Sequence, residues 1–174
     1  EIAGLGKDAA LLSSVGVGIT NLIFTFVGLS LIDKFGRRQL MYIGSVGYII
    51  SLSLVALAFA LQWKGVAVPI FLFMFIAAHA IGQGTVIWVF ISEIFPNSVR
   101  SQGGSLGSFT HWIMAAIISW TFPIIVEGNP MGGFYSFLFY TIMMAVQLLF
   151  VMKFLPETKG RTLEEIQHDL GISK

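Results

Sequence analysis

Within the long apolar stretches of this 174-residue chain, few side chains could bind or react, and none is a carboxylate, lysine or arginine. His79 and His111 are the only groups there that titrate near neutral pH, joined by the amides Asn21, Gln83 and Gln147. Polar groups in an apolar setting need hydrogen-bond partners, and ionisable ones there are usually functional. The three amides in this set are uncharged. The set lacks the carboxylates of a proton relay. With no cysteine, disulfides, thiolate metal sites and thiol catalysis are excluded. No catalytic constellation, metal-ligand spacing or cofactor motif stands out.

Aromatic and glycine residues surround these polar groups. Ile81-Gly-Gln-Gly-Thr85 puts two glycines in the middle of an apolar stretch, where each costs about 1 kcal/mol relative to alanine in a helix. An interrupted helix near the bilayer midplane is a common solute site, and small residues also permit close helix packing. Trp88 follows Gly84 by four residues, on the same helical face. A tryptophan there can stack on a sugar ring or anchor a helix at the interface. His111-Trp112 repeats the pairing of a polar ring with an aromatic one, and either lines a cavity or packs. Asn21, Thr25 and Gly28 share a face, either as interhelical contacts or along a solute path. Gly103 and Gly107 read as packing, and Pro123 suggests a bend.

The elements that must position these groups follow from composition. The chain is 56% hydrophobic and 11% charged, with a mean hydropathy of +0.85. That leaves too few charges to cover a water-facing surface. The net charge of +1 argues against nucleic acid as a partner. Five charge-free runs of 24 to 28 residues are each long enough to cross a bilayer once. They predict an all-α membrane protein with spans at about 10–32, 40–62, 68–92, 102–126 and 133–154, in contact with membrane lipid. Residues 1–155 form the bundle, and 156–174 form a tail whose Thr162 caps a short helix. Eight basic residues fall on one side (Lys34, Arg37, Arg38, Arg100, Lys153, Lys159, Arg161 and Lys174) and two, Lys7 and Lys64, on the other. The positive-inside bias then puts Glu1 outside and Lys174 in the cytoplasm.

Three charged segments lie on the basic side: Asp33-Lys-Phe-Gly-Arg-Arg38, Glu93-Ile-Phe-Pro-Asn-Ser-Val-Arg100 and Pro156-Glu-Thr-Lys-Gly-Arg161. Positive-inside anchoring accounts for the arginines but not for Asp33, Glu93 and Glu157. Asp33, Arg37, Arg38, Glu93, Arg100 and Glu157 could pair in one conformation and separate in another, as a cytoplasmic gate.

These three segments, in this order relative to the spans, resemble the signatures of the sugar porter family of the major facilitator superfamily. The resemblance covers essentially the whole chain, as helices eight to twelve of a twelve-helix carrier, and is most like bacterial pentose and hexose symporters of the inner membrane. It implies two six-helix halves rocking around a central sugar site, with no enzymatic step. It assigns Asn21, His79, Gly84, Trp88, His111 and Trp112 to sugar binding. Ala115 stands where relatives usually have an asparagine. Five spans, with Glu1 rather than methionine at the start, imply a six-span half lacking its first helix, hence a fragment whose partner is the missing N-terminal half. Proton-coupled sugar symport by alternating access is the implied function. A transporter-like sugar sensor, or a truncated chain inactive alone, is the alternative. His79 and Trp88, nine residues apart, can share a cavity only if the glycines at 82 and 84 twist or break the helix.

Overall fold

The computed structural model describes residues 7–63, 65–169 and 171. Among these there are seven helices and no strand: α1 (Lys7–Phe35), α2 (Arg37–Ala60), α3 (Ala67–Ile81), α4 (Gln83–Ile94), α5 (Arg100–Gly128), α6 (Gly132–Phe154) and α7 (Leu163–Asp169). Five stretches are long and apolar enough to cross a membrane: Leu11–Phe35, Arg37–Ala60, Ala67–Ile94, Arg100–Gly128 and Gly132–Phe154. The third contains both α3 and α4, which part at Gly82, midway along it. Lys64 and Lys174, which entered the charge asymmetry, and Glu1, whose side it was used to assign, lie outside the described residues.

The chain reverses direction between α1 and α2 over a single residue, Gly36, whose φ of +90° is disfavoured for residues with a Cβ. α2 then runs through the centre, packed on α6 and α3, while α1 lies along α3 and α4. Its small residues allow this. Gly44 abuts Gly82, and Gly47 abuts Ala78. A Cβ at Gly133 of α6 would meet the ring of Phe59 on α2 at 2.7 Å. In a bilayer there is little hydrophobic drive between helices, so close approach through small residues supplies the van der Waals contact. α5 is the outlier. It touches only α6 and α4, Gly103 is its one buried residue, and it continues past Pro123 to Gly128 as one helix.

Two apolar clusters bracket the bundle. Ile32, Leu40, Met41, Val86, Phe90, Val151 and Leu155 pack at the end carrying the charged segments, and Val55, Ala58 and Val68 pack toward the other. The level between them is where α2 and the broken helix bury polar groups: Ser45, Ser51, Gln83 and Thr85. At the chain's far end, Thr162 and Glu165 form a reciprocal cap on α7. Glu165 N–H donates to Thr162 Oγ1 at 3.3 Å, and Thr162 N–H donates to Glu165 Oε2 at 2.8 Å. Ile166 of α7 is buried.

Candidate functional site

Gly82 interrupts the third span with φ −91° and ψ −104°. Two helices, α1 and α2, close on the break. A Cβ at Gly82 would lie 2.7 Å from Gly44 Cα and 3.0 Å from the Leu40 carbonyl oxygen of α2. A Cβ at Gly28 of α1 would lie 2.8 Å from Thr85 Oγ1 and 2.9 Å from the Ala80 carbonyl oxygen. The polar groups at the break are bonded locally. Thr85 Oγ1 donates to the Ala80 carbonyl at 2.6 Å, and Gln83 Nε2 donates to Ser45 Oγ at 2.9 Å and to the Met41 carbonyl at 3.4 Å. Gln83 thereby ties the start of α4 to α2, leaving its own Oε1 buried without a partner among the described residues.

The rings expected to line a cavity fall around this break. His79, on the last turn of α3, lies over Gly84, where a Cβ would come within 2.9 Å of its Nε2. Its Nδ1 is hydrogen-bonded to the hydroxyl of Tyr48 on α2. Phe75 flanks both rings, with its centroid 5.0 Å from that of Tyr48. One helical stretch on, Trp88 meets His111 of α5 edge to face at 5.2 Å, and His111 meets Trp112 in the same manner at 5.4 Å. Gln83, one turn from His79, turns instead to Ser45. Asn21 is exposed on α1. Its face is the one that meets the break seven residues on, at Gly28. Trp88 and Trp112 are 41% and 64% exposed, so this cluster is open on one side.

The charged segments meet at the other candidate region, the charged end of the bundle. Arg37 is its centre. Its guanidinium grips Glu93 with two bonds, Nη2 to Oε1 at 2.8 Å and Nε to Oε2 at 3.1 Å, and reaches Asp33 Oδ1 at 3.2 Å. The two-pronged geometry is what a planar guanidinium offers a carboxylate. Thr158 Oγ1 adds a 2.6 Å bond to Glu93 Oε2. Glu157 does not pair with a guanidinium. It accepts the backbone N–H groups of Arg37 at 2.9 Å and Arg38 at 3.0 Å, capping α2 from 120 residues away. A carboxylate there suits the positive end of the helix dipole. Arg38 donates to the Met152 carbonyl at 2.7 Å and lies over the Tyr42 ring. Arg100 donates to the Phe95 carbonyl at 3.4 Å. It faces Glu93, Thr158 and Arg161 across a cleft of about 400 Å³. Asp33, Arg37 and Glu93 thus form ion pairs, whereas Glu157, Arg38 and Arg100 bond to backbone.

Several participants were not singled out from the sequence. Thr158 lay inside a charged segment, but a hydroxyl gives no signal of its own. Gly36 sits where a Cβ would lie 2.5 Å from Glu157 Oε2, so its absent side chain makes room for the cap. Tyr48 and Ser45 stand on α2 with nothing local to distinguish them.

Five helical stretches of membrane-crossing length, one of them broken beside a polar and aromatic cluster, define an all-α integral membrane protein. The chain belongs to the family described as "Sugar (and other) transporter", whose profile matches residues 1–170. It is 37% identical over 169 residues to the D-xylose-proton symporter of Escherichia coli strain K12, an alignment covering 94% of this chain and 34% of the relative. It is 36% identical over 174 residues to the glucose transporter GlcP of Staphylococcus epidermidis, covering 97% and 38%. Its fold is similar to that of the proton:xylose symporter XylE bound to 6-bromo-6-deoxy-D-glucose, with a TM-score of 0.84, 36% identity, and coverage of 95% of this chain and 36% of that one. The chain spans about a third of the length of these relatives.

Proposed function

We propose that this chain supplies the C-terminal part of the cavity and one gate of a sugar carrier that works by alternating access. The observation that carries the reading is the third span, broken at Gly82 between Gly28 and Gly44, with Trp88, His111 and Trp112 in edge contact beyond it. Asn21, His79, Gly84, Trp88, His111 and Trp112 are its sugar-facing residues, with donors and acceptors for hydroxyls and rings for the apolar face of the sugar. The other wall comes from an N-terminal half of the same carrier, for which the relatives' threefold greater length leaves room. A pentose or hexose is the substrate, as in the names of the xylose and glucose relatives. Proton coupling is carried by that other half, because the five charge-free runs here hold no carboxylate. The carrier lies in a bacterial inner membrane, with the charged end and the tail in the cytoplasm and the N-terminus outside.

Asp33, Arg37, Arg38, Glu93, Arg100 and Glu157 form the cytoplasmic gate. Clamped, they hold the ends of α1, α2 and α4 and the segment after α6 together while the cavity opens outward. Parted, they let it open inward. Uptake of D-xylose and D-glucose by the complete carrier in proteoliposomes, with and without an inward proton gradient, tests the reading. Sugar counterflow is expected, with Trp88→Ala weakening apparent affinity about tenfold, equivalent to roughly 1.4 kcal/mol. Absence of counterflow for every pentose and hexose would overturn sugar transport. Counterflow together with net uptake that the gradient does not stimulate would make the carrier a uniporter.

A further inference from the structure

Tyr48 is a buried tyrosine at the bundle's polar level, 5% exposed, on the central helix rather than on the open side of the cluster. Its hydroxyl meets His79 Nδ1, and no other partner for that hydroxyl exists among the described residues. A buried O–H without an acceptor costs the desolvation of the group. If Nδ1 carried the ring proton, Nδ1–H would donate to the tyrosine oxygen and the hydroxyl hydrogen would have no acceptor. If Nδ1 is bare, the hydroxyl donates to it and every group at the contact is satisfied. In a neutral imidazole the proton then sits on Nε2. Nε2 makes no hydrogen bond among the described residues and lies over Gly84, where the missing Cβ leaves it room.

We infer that Tyr48 is a positioning residue that fixes the His79 tautomer, so that His79 presents an N–H donor, never an acceptor, to the sugar. This rests on the proposed sugar-facing role of His79. It commits that role to one polarity: the sugar atom opposite His79 is read as an acceptor. Fluorine can keep a weak acceptor in place of a hydroxyl, whereas hydrogen cannot. At one sugar position, therefore, the fluoro analogue binds better than the deoxy analogue, and that preference depends on Tyr48.

The test uses the complete carrier in detergent, with binding of D-xylose, D-glucose and their singly deoxygenated and fluorinated analogues measured by calorimetry. Tyr48→Phe keeps the ring against Phe75 and removes only the hydroxyl. It is expected to weaken binding of the parent sugar about fivefold, the effect of one ordinary hydrogen bond, and to erase the fluoro-over-deoxy preference. In a His79→Gln background, where the amide nitrogen donates from near the Nε2 position without needing a tautomer, Tyr48→Phe should change affinity by less than about twofold. An equal loss in both backgrounds would mean that Tyr48 only supports the fold, and would overturn the inference. So would unchanged binding in Tyr48→Phe. If Tyr48→Phe does not fold, nitrogen-15 spectra of histidine-labelled carrier, with the His79 signals assigned by their loss in His79→Gln, decide the matter. A protonated Nε2 is expected, and a protonated Nδ1 would overturn the tautomer. If the unmodified carrier binds none of these sugars, it is the sugar reading that fails, and the spectra then stand as the independent measure of the Tyr48 contact.

Discussion

The break at Gly82 and the charged end are both places where three or more segments converge, but they are held by different physics. At the break, backbone meets backbone. Gly82 rests on Gly44, and Gly28 rests on the Ala80 carbonyl, with no room for a Cβ on either side. At the charged end, long side chains do the joining. Arg37 spans Asp33 and Glu93, and Glu157 reaches the start of α2. Packed backbone cannot yield without moving whole helices, whereas side-chain tips can rotate away and be replaced by water. The break is therefore the stiffer of the two regions, and the charged end the one whose contacts water can replace.

Substitutions that differ only in what the new atoms meet test this contrast most directly. Gly82→Val should have the largest effect, because its Cβ would sit 2.7 Å from Gly44 Cα. Overpacking of this kind costs about 3 kcal/mol or more, so loss of monodisperse protein or a much lower melting temperature in detergent is expected. A normal melt would show that the crossing is looser than described. Gly36→Ala should do less, although φ is +90° there, because the clashing atoms belong to the far end of Glu157. About 2 kcal/mol is expected from left-handed strain and a displaced cap, read as a smaller drop in the same melt. Should the two variants prove equally damaging, the distinction between rigid and releasable regions would fail.

Glu93→Gln leaves the shape of the charged end intact but removes the charge that Arg37 grips. Arg37 is largely covered and Glu93 is 28% exposed, so a discounted loss of about 1–2 kcal/mol is expected. That is enough to shift a two-state population several-fold toward the inward-open form. Distances between spin labels across the charged end should lengthen and transport should slow, with sugar affinity in each locked state unchanged. Unaltered distances with full transport would reduce these charges to anchors. Thr158→Val should be the mildest change, removing one hydroxyl bond to Glu93 at a cost of about 1 kcal/mol. Its effect should shrink when Glu93 is already glutamine, whose neutral amide holds the hydroxyl less strongly than a carboxylate does, a coupling that a double-mutant cycle reads directly.

Legibility differed between the two regions as well. Asp33 and Glu93 stood out as candidates for ion pairing because an acid on a basic side has no role in anchoring, and both are found on Arg37. Glu157 and Arg100 were visible as charges, but their partners are backbone groups: the first N–H groups of α2 for one, and the Phe95 carbonyl for the other. Every residue carries such groups, so no spacing rule points to them. The glycines of Ile81-Gly-Gln-Gly-Thr85 marked a break or a close contact, and the structure has both at Gly82.

Composition by itself determined that this is a helical membrane protein with five spans, because runs of 24 to 28 residues without a charge can be hidden nowhere else. Local spacing determined which residues sit at helix ends and which share a face, since helical periodicity is set by the backbone. Only the tertiary structure decided who meets whom across helices. Tyr48 meets His79 across 31 residues, Gln83 meets Ser45 across 38, and Glu157 meets α2 across 120. In a uniformly apolar bundle the hydrophobic pattern does not favour one helix face over another. The pairing is instead settled by where glycines allow backbones to touch and where buried polar groups find partners, and both are properties of the assembled helices rather than of any one of them.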